Sequence, residues 1–188
     1  MKKILFINGG MRTGGNEDAI MKAAMEAAKA KGAEVVDFKL RETNLLPCTG
    51  CGRCKSEKMA YKCKWHDGFS SILPTLLDAD GIVFSSPIYY GYISGPAKTF
   101  VDRLYCLMNP AKGPLDTKKK KFGVVLTFGG TPEEAAQELA EKVKGYFRMT
   151  GADELKTVLK GKCTEKKSAA KDEATMAKAK ELGEWLAE

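Results

Sequence analysis

Six cysteines, one glycine-rich turn and a cluster of tyrosines hold most of the chemistry available to this sequence. Four of the cysteines, Cys48, Cys51, Cys54 and Cys63, share one short stretch, and the first three keep C-x-x-C-x-x-C spacing. Thiolates so closely spaced, with mostly small residues between them, can wrap one cubane cluster, each taking a different iron. A fourth, more distant thiolate would complete that set, and Cys63 is the candidate. Zinc also accepts four thiolates, although structural zinc sites usually pair two separated knuckles. A dithiol or purely structural thiols are the third alternative. Cys106 and Cys163 stand apart and read as isolated thiols, buried or incidental. In a chain of 188 residues, clustered cysteines point to metal or redox chemistry more than to the disulfides of a secreted mini-protein.

The turn Gly9-Gly10-Met11-Arg12-Thr13-Gly14-Gly15-Asn16 suits a different task. Glycines let backbone N–H groups come close to an anion. A helix starting there would add unpaired N–H donors and a partial positive charge. Arg12, Thr13 and Asn16 can contribute side-chain bonds. The turn is neither a Walker A loop nor Gly-x-Gly-x-x-Gly. Glu17 and Asp18 follow at once. Acids complement a helix amino terminus, but they repel a phosphate dianion unless turned away. A plain strand-to-helix turn with a surface arginine is the competing reading.

Further along, Ser85-Ser86-Pro87-Ile88-Tyr89-Tyr90-Gly91-Tyr92 places three tyrosines at the end of an apolar run. An isoalloxazine ring needs an apolar wall and backbone donors and acceptors along its pyrimidine edge. Pro87, Ile88, Tyr89, Tyr90 and Gly91 can supply both. Thr127, Phe128 and Gly129, in a third turn, can reach the ring from the other side. Alternatively the tyrosines cover the core or form a dimer contact. His66 is the only histidine and is given no role.

The elements that must position these groups follow from periodicity. Lys3–Asn8 is a continuous apolar run of the kind buried on both sheet faces. Asn16 is expected to cap a helix over 17–31, and Glu34–Leu40 reads as a second strand. Phe69–Leu77 reads as a short helix containing Pro74. Gly81–Ser86 is a third strand ending at Pro87, followed by apolar residues at helical spacing from Ala97 to Met108. Phe122–Phe128 is a fourth strand, and Thr131-Pro132-Glu133-Glu134 opens the next helix. A fifth strand lies near Leu155–Leu159 and a last helix begins near Ser168. Strands alternating with helices imply a parallel sheet covered on both faces. Ligands in such sheets bind at the carboxyl ends of the strands, where the three unusual turns lie.

Composition narrows the class. The chain is 44 % hydrophobic and 29 % charged, as in globular proteins. Its opening apolar run is too short for a signal peptide, and no stretch approaches a membrane span, so a cytoplasmic location is expected. The net charge of +7 suits an acidic partner. The densest basic run, Lys118–Lys121, reads as a solvated strand entrance and not as a nucleic-acid surface.

Taken together, Ser85–Gly91 with Ser94, Lys98, Phe100, Asp102 and Arg103 resembles the flavin loop and helix of the NAD(P)H-dependent FMN reductase-like branch of the flavodoxin superfamily. Gly9, Arg12, Gly15 and Asn16 match its phosphate loop, which usually has serine where Gly10 stands and a hydroxyl residue where Glu17 stands. The resemblance implies a three-layer α/β fold with a five-stranded parallel sheet of order 2-1-3-4-5. The resemblance covers roughly the first 150 residues; the length of the chain suits one domain over 1–188, with a cysteine-rich insertion at about 47–66. The resemblance also implies non-covalent FMN, with NAD(P)H as reductant and a homodimer or homotetramer; with the reading of the three turns, the residues expected to hold FMN are Gly10, Met11, Arg12, Gly15, Asn16, Glu17, Pro87–Gly91 and Thr127–Gly129. The cysteine stretch is similar to that of iron–sulfur flavoproteins in the same branch, with a slightly longer gap to Cys63. This implies a [4Fe–4S] cluster fed by an acidic, ferredoxin-type donor. An electron carrier without its own substrate and a zinc-stabilised binding protein without flavin are the alternatives.

Overall fold

The computed structural model describes residues 1–188. Five strands run parallel: β1 (Lys3–Asn8), β2 (Glu34–Lys39), β3 (Gly81–Tyr89), β5 (Lys120–Thr127) and β6 (Ala152–Lys160). They are ordered β2-β1-β3-β5-β6, the expected 2-1-3-4-5 arrangement of parallel strands. A sixth, two-residue strand β4 (Tyr92–Ile93) returns antiparallel onto the end of β3. Ile4 to Ile7 and Ile82 to Phe84 are wholly buried, because helices cover both faces of the sheet.

On one face lie α2 (Gly68–Asp78), α3 (Gly95–Arg103) and α4 (Glu133–Phe147), packed through Phe69, Phe84, Phe100, Phe122 and Phe147. Neighbouring rings in this row stand with centroids 4.8 to 6.4 Å apart, mostly tilted. On the other face α1 (Asn16–Ala30) and α5 (Glu173–Ala187) bury Ile4, Phe6, Ile20, Ala24 and Leu182. The two helices meet at Gly183, where a Cβ would lie 2.0 Å from the Ala24 carbonyl oxygen. Only glycine permits that approach.

Several boundaries differ from those expected. β3 continues through Pro87 to Tyr89, because the hairpin with β4 provides partners for Ile88 and Tyr89. Tyr90 and Gly91 make its turn with φ of 51° and 75°, the two positive values a tight hairpin demands. Gly15, not Asn16, precedes α1 as its cap, since the Asn16 amide bonds the distant Glu165 carbonyl and Ala169 N–H. Pro132 stands at the cap of α4, and Thr131 makes no cap bond. The last helix starts at Glu173, capped by Asp172, several residues after Ser168. Lys120 is buried with its ammonium on the Leu77 carbonyl at 2.9 Å, so the lysine run is not simply a solvated face.

Candidate functional site

The carboxyl ends of β1, β3 and β5 stand side by side in the sheet, so the turns leaving them must meet. They do meet, around one open pocket. Met11, Arg12, Asn16 and Glu17 form its first wall, Pro87, Ile88 and Tyr89 its second, and Thr127, Phe128 and Gly129 its third. The first turn can run this close to β3 because of Gly9. Its N–H donates to the Ser85 carbonyl at 2.9 Å, and a Cβ there would sit 2.5 Å from that oxygen.

Asp18 braces the first turn from behind. Its carboxylate accepts from the Asn8 amide at 2.8 Å, the Gly14 N–H at 2.7 Å and both terminal nitrogens of Arg41 at 2.9 and 3.0 Å. Arg41 also donates to the Gly10 carbonyl. Asp18 is therefore turned away from the pocket. Glu17 is not. It is buried, lines the pocket and accepts a hydrogen bond from the Thr127 hydroxyl across it. Gly10 makes room for this, since a Cβ would come within 2.8 Å of the Glu17 Cβ.

Of the residues expected at this site, Gly10 and Gly15 shape the turn without lining the pocket. Tyr90 and Gly91 form the hairpin tip, and Tyr90 projects fully into solvent. Tyr89 alone of the three tyrosines lines the pocket. Cys163, read as an isolated thiol, also lines it. It follows β6, whose carboxyl end opens on the same edge, and its N–H donates to the Phe128 carbonyl at 2.9 Å. Burial pushes its thiol above the ordinary range. The order of strands carries the signal that would have placed it; its own neighbours in sequence do not.

A second pocket is built by the cysteine stretch between β2 and α2. Cys48, Cys51, Cys54 and Cys63 all line it, with Trp65, Arg103 and Cys106. Arg103 is wholly buried and grips both Asp67 carboxylate oxygens at 2.6 and 3.0 Å, as well as the Leu46 carbonyl at 2.6 Å. Asp67 in turn caps α2 and accepts the Leu46 N–H. One ion pair thus anchors the chain just ahead of Cys48. The Arg53 backbone N–H lowers the Cys51 thiol, whereas burial raises Cys54 and pushes Cys106 up to about 12.

No three His, Cys, Asp or Glu side chains converge on a point that could hold a single metal ion. A lone zinc with Zn–S bonds of about 2.3 Å needs its sulfurs about 3.8 Å apart. A cubane spreads four thiolates over four irons and so over a wider ring. Two buried N–H donors lining this pocket, the Arg103 Nε and the Trp65 Nε1, have no hydrogen-bond partner. Leaving such donors unpaired is costly. Both suit a sulfur-rich anion held by the surrounding thiols.

The three-layer sheet with a pocket at its carboxyl edge defines a flavodoxin-like protein. More particularly, residues 2–159 match the family described as NADPH-dependent FMN reductase, and the chain belongs to that family. It is similar to an iron-sulfur flavoprotein of Methanocaldococcus jannaschii, 36 % identical over 146 residues that span 77 % of this chain and 71 % of that protein. An iron-sulfur flavoprotein of Methanosarcina thermophila is 28 % identical, over 79 % of this chain and 74 % of its own. The FMN complex of an FMN-dependent NADH-azoreductase from Bacillus anthracis shares the fold, with a TM-score of 0.72 at 15 % identity over the full length of both chains. No helix is long and apolar enough to cross a membrane.

Proposed function

We propose that this protein is an FMN-dependent oxidoreductase whose cysteine stretch also holds a [4Fe–4S] cluster. Bound flavin supplies hydride and electron transfer, and a cluster supplies single-electron transfer; the chain positions and insulates both. The observation that carries the flavin reading is the meeting of three strand-end turns around one pocket. Pro87, Ile88 and Phe128 offer the apolar wall for a ring and Tyr89 a flat partner at its mouth, and Arg12, Glu17 and the α1 amino terminus stand where its tail would lie. For the cluster, support comes from four thiols and two unpartnered N–H donors around one pocket. The names of the relatives in the two archaea agree with it. Cys48, Cys51, Cys54 and Cys63 are its ligands in this reading.

NAD(P)H reduces the flavin directly, or an acidic ferredoxin-type partner delivers electrons; the net charge of +7 favours docking of the latter. The half-exposed Tyr105 and Met108 offer an apolar face for a homodimer or homotetramer. Anaerobic purification followed by an absorption spectrum with flavin, iron and zinc analysis tests the proposal. One flavin and about four irons per chain are expected. Flavin without iron removes the cluster, and neither removes the proposal. Turnover of NAD(P)H with a quinone or free flavin distinguishes an enzyme from a carrier.

A further inference from the structure

The flavin pocket carries a buried carboxylate at the end meant for a phosphate. Arg12 and Glu17 are the only charged side chains lining it, so an ionised Glu17 cancels the arginine's charge. Glu17 is not a surface acid that could swing aside. It is 5 % exposed, bonded to Thr127, and seated in space that only a glycine at position 10 leaves free. The acid and the glycine are thus sterically paired, and both stand where the resembling family places hydroxyl side chains.

Other parts of the turn are committed elsewhere as well. The Asn16 amide is used at both ends, on Glu165 and Ala169. The Gly10 N–H donates to the Asn8 side chain, the Gly14 N–H to Asp18 and the Gly15 N–H to the Arg12 carbonyl. Three backbone donors and one side-chain amide are therefore already bonded within the protein, which leaves the Arg12 side chain and the free N–H groups at the start of α1 to face Glu17's carboxylate in the same pocket. A carboxylate at this spot accepts readily from neutral hydroxyls and repels a phosphate.

We infer that this site selects its flavin by the ring and the polyol chain and not by the 5′-phosphate, with Glu17 as the residue that sets the preference. Riboflavin and FMN then bind with comparable affinity. The inference rests on the flavin reading and deepens it.

Titration of flavin-free protein with FMN and with riboflavin, followed by quenching of flavin fluorescence, tests it without any turnover. The two Kd values are expected to agree within about tenfold, which is about 1.4 kcal/mol. Glu17→Gln removes the charge at constant shape, and Glu17→Thr restores a hydroxyl. Each should raise the preference for FMN over riboflavin, read as the ratio of the two Kd values, about tenfold or more. Circular dichroism and thermal melting show whether each variant is folded, and the wild-type ratio needs no variant. FMN binding about a hundredfold tighter than riboflavin in the wild type would overturn the inference. So would a folded Glu17→Gln protein with both affinities unchanged. Failure of both flavins to bind would instead overturn the flavin reading on which it stands.

Discussion

Asp67 joins three jobs in one carboxylate: it caps α2, receives the Leu46 N–H and pairs with Arg103. Burial by itself would raise its pKa, yet the Arg103 guanidinium and the Leu46 and Ser70 N–H groups hold the carboxyl below its ordinary value. A carboxylate lower in the folded than in the unfolded state stabilises fully above the unfolded value, about pH 4, and loses that contribution as pH falls through the folded one. Thermal melts should therefore show Tm dropping as pH falls below about 4. Asp67→Asn should make that drop shallower. Because it leaves Arg103 buried without its counter-ion, it should also cost about 3–5 kcal/mol at neutral pH. An acid limb as steep in the variant as in the parent would show that this pair is not its source.

Helices α1 and α5 depend on a contact that allows no side chain. At Gly183 an added Cβ would meet the Ala24 carbonyl at 2.0 Å, and the obstacle is backbone, which cannot rotate away. Gly183→Ala should lower stability by about 1–3 kcal/mol despite alanine's better helix propensity, as overpacking does. Chemical denaturation with an unchanged m-value is the check; a more stable variant would refute close packing here. The sequence shows why such details escape it. The apolar runs of β1, β3 and β5 are continuous, and each ends at glycine, proline or a hydroxyl residue, so the strands and the three strand-end turns were legible, whereas strand order came from the family resemblance. Cap residues were less so. Asn16 has the right type for a cap, but its amide is captured by residues about 150 positions away. Glu17 read as one of two acids of uncertain direction, and only the packing of Gly10 and Thr127 separates it from Asp18. The two-residue hairpin turn at Tyr90 and Gly91, which sends the Tyr90 side chain outward, is not disclosed by composition.

Across the whole molecule, the excess of basic residues has a kinetic meaning if an acidic carrier delivers electrons. Opposite net charges steer encounter, and salt weakens that steering once the Debye length falls to about 10 Å near 0.1 M. Stopped-flow reduction by an acidic ferredoxin should slow as ionic strength rises, whereas reduction by NADH should change little. Equal salt dependence for both would remove the docking role of the charge.

In the proposed reading, separate turns at one sheet edge form a single flavin site. Hydrogen–deuterium exchange, measured with and without saturating flavin, decides the matter. Backbone amides over residues 10–17, 87–91 and 127–130 should gain protection together, with the outer strand β2 unaffected. Protection confined to one of those turns, or spread evenly over the chain, would contradict it.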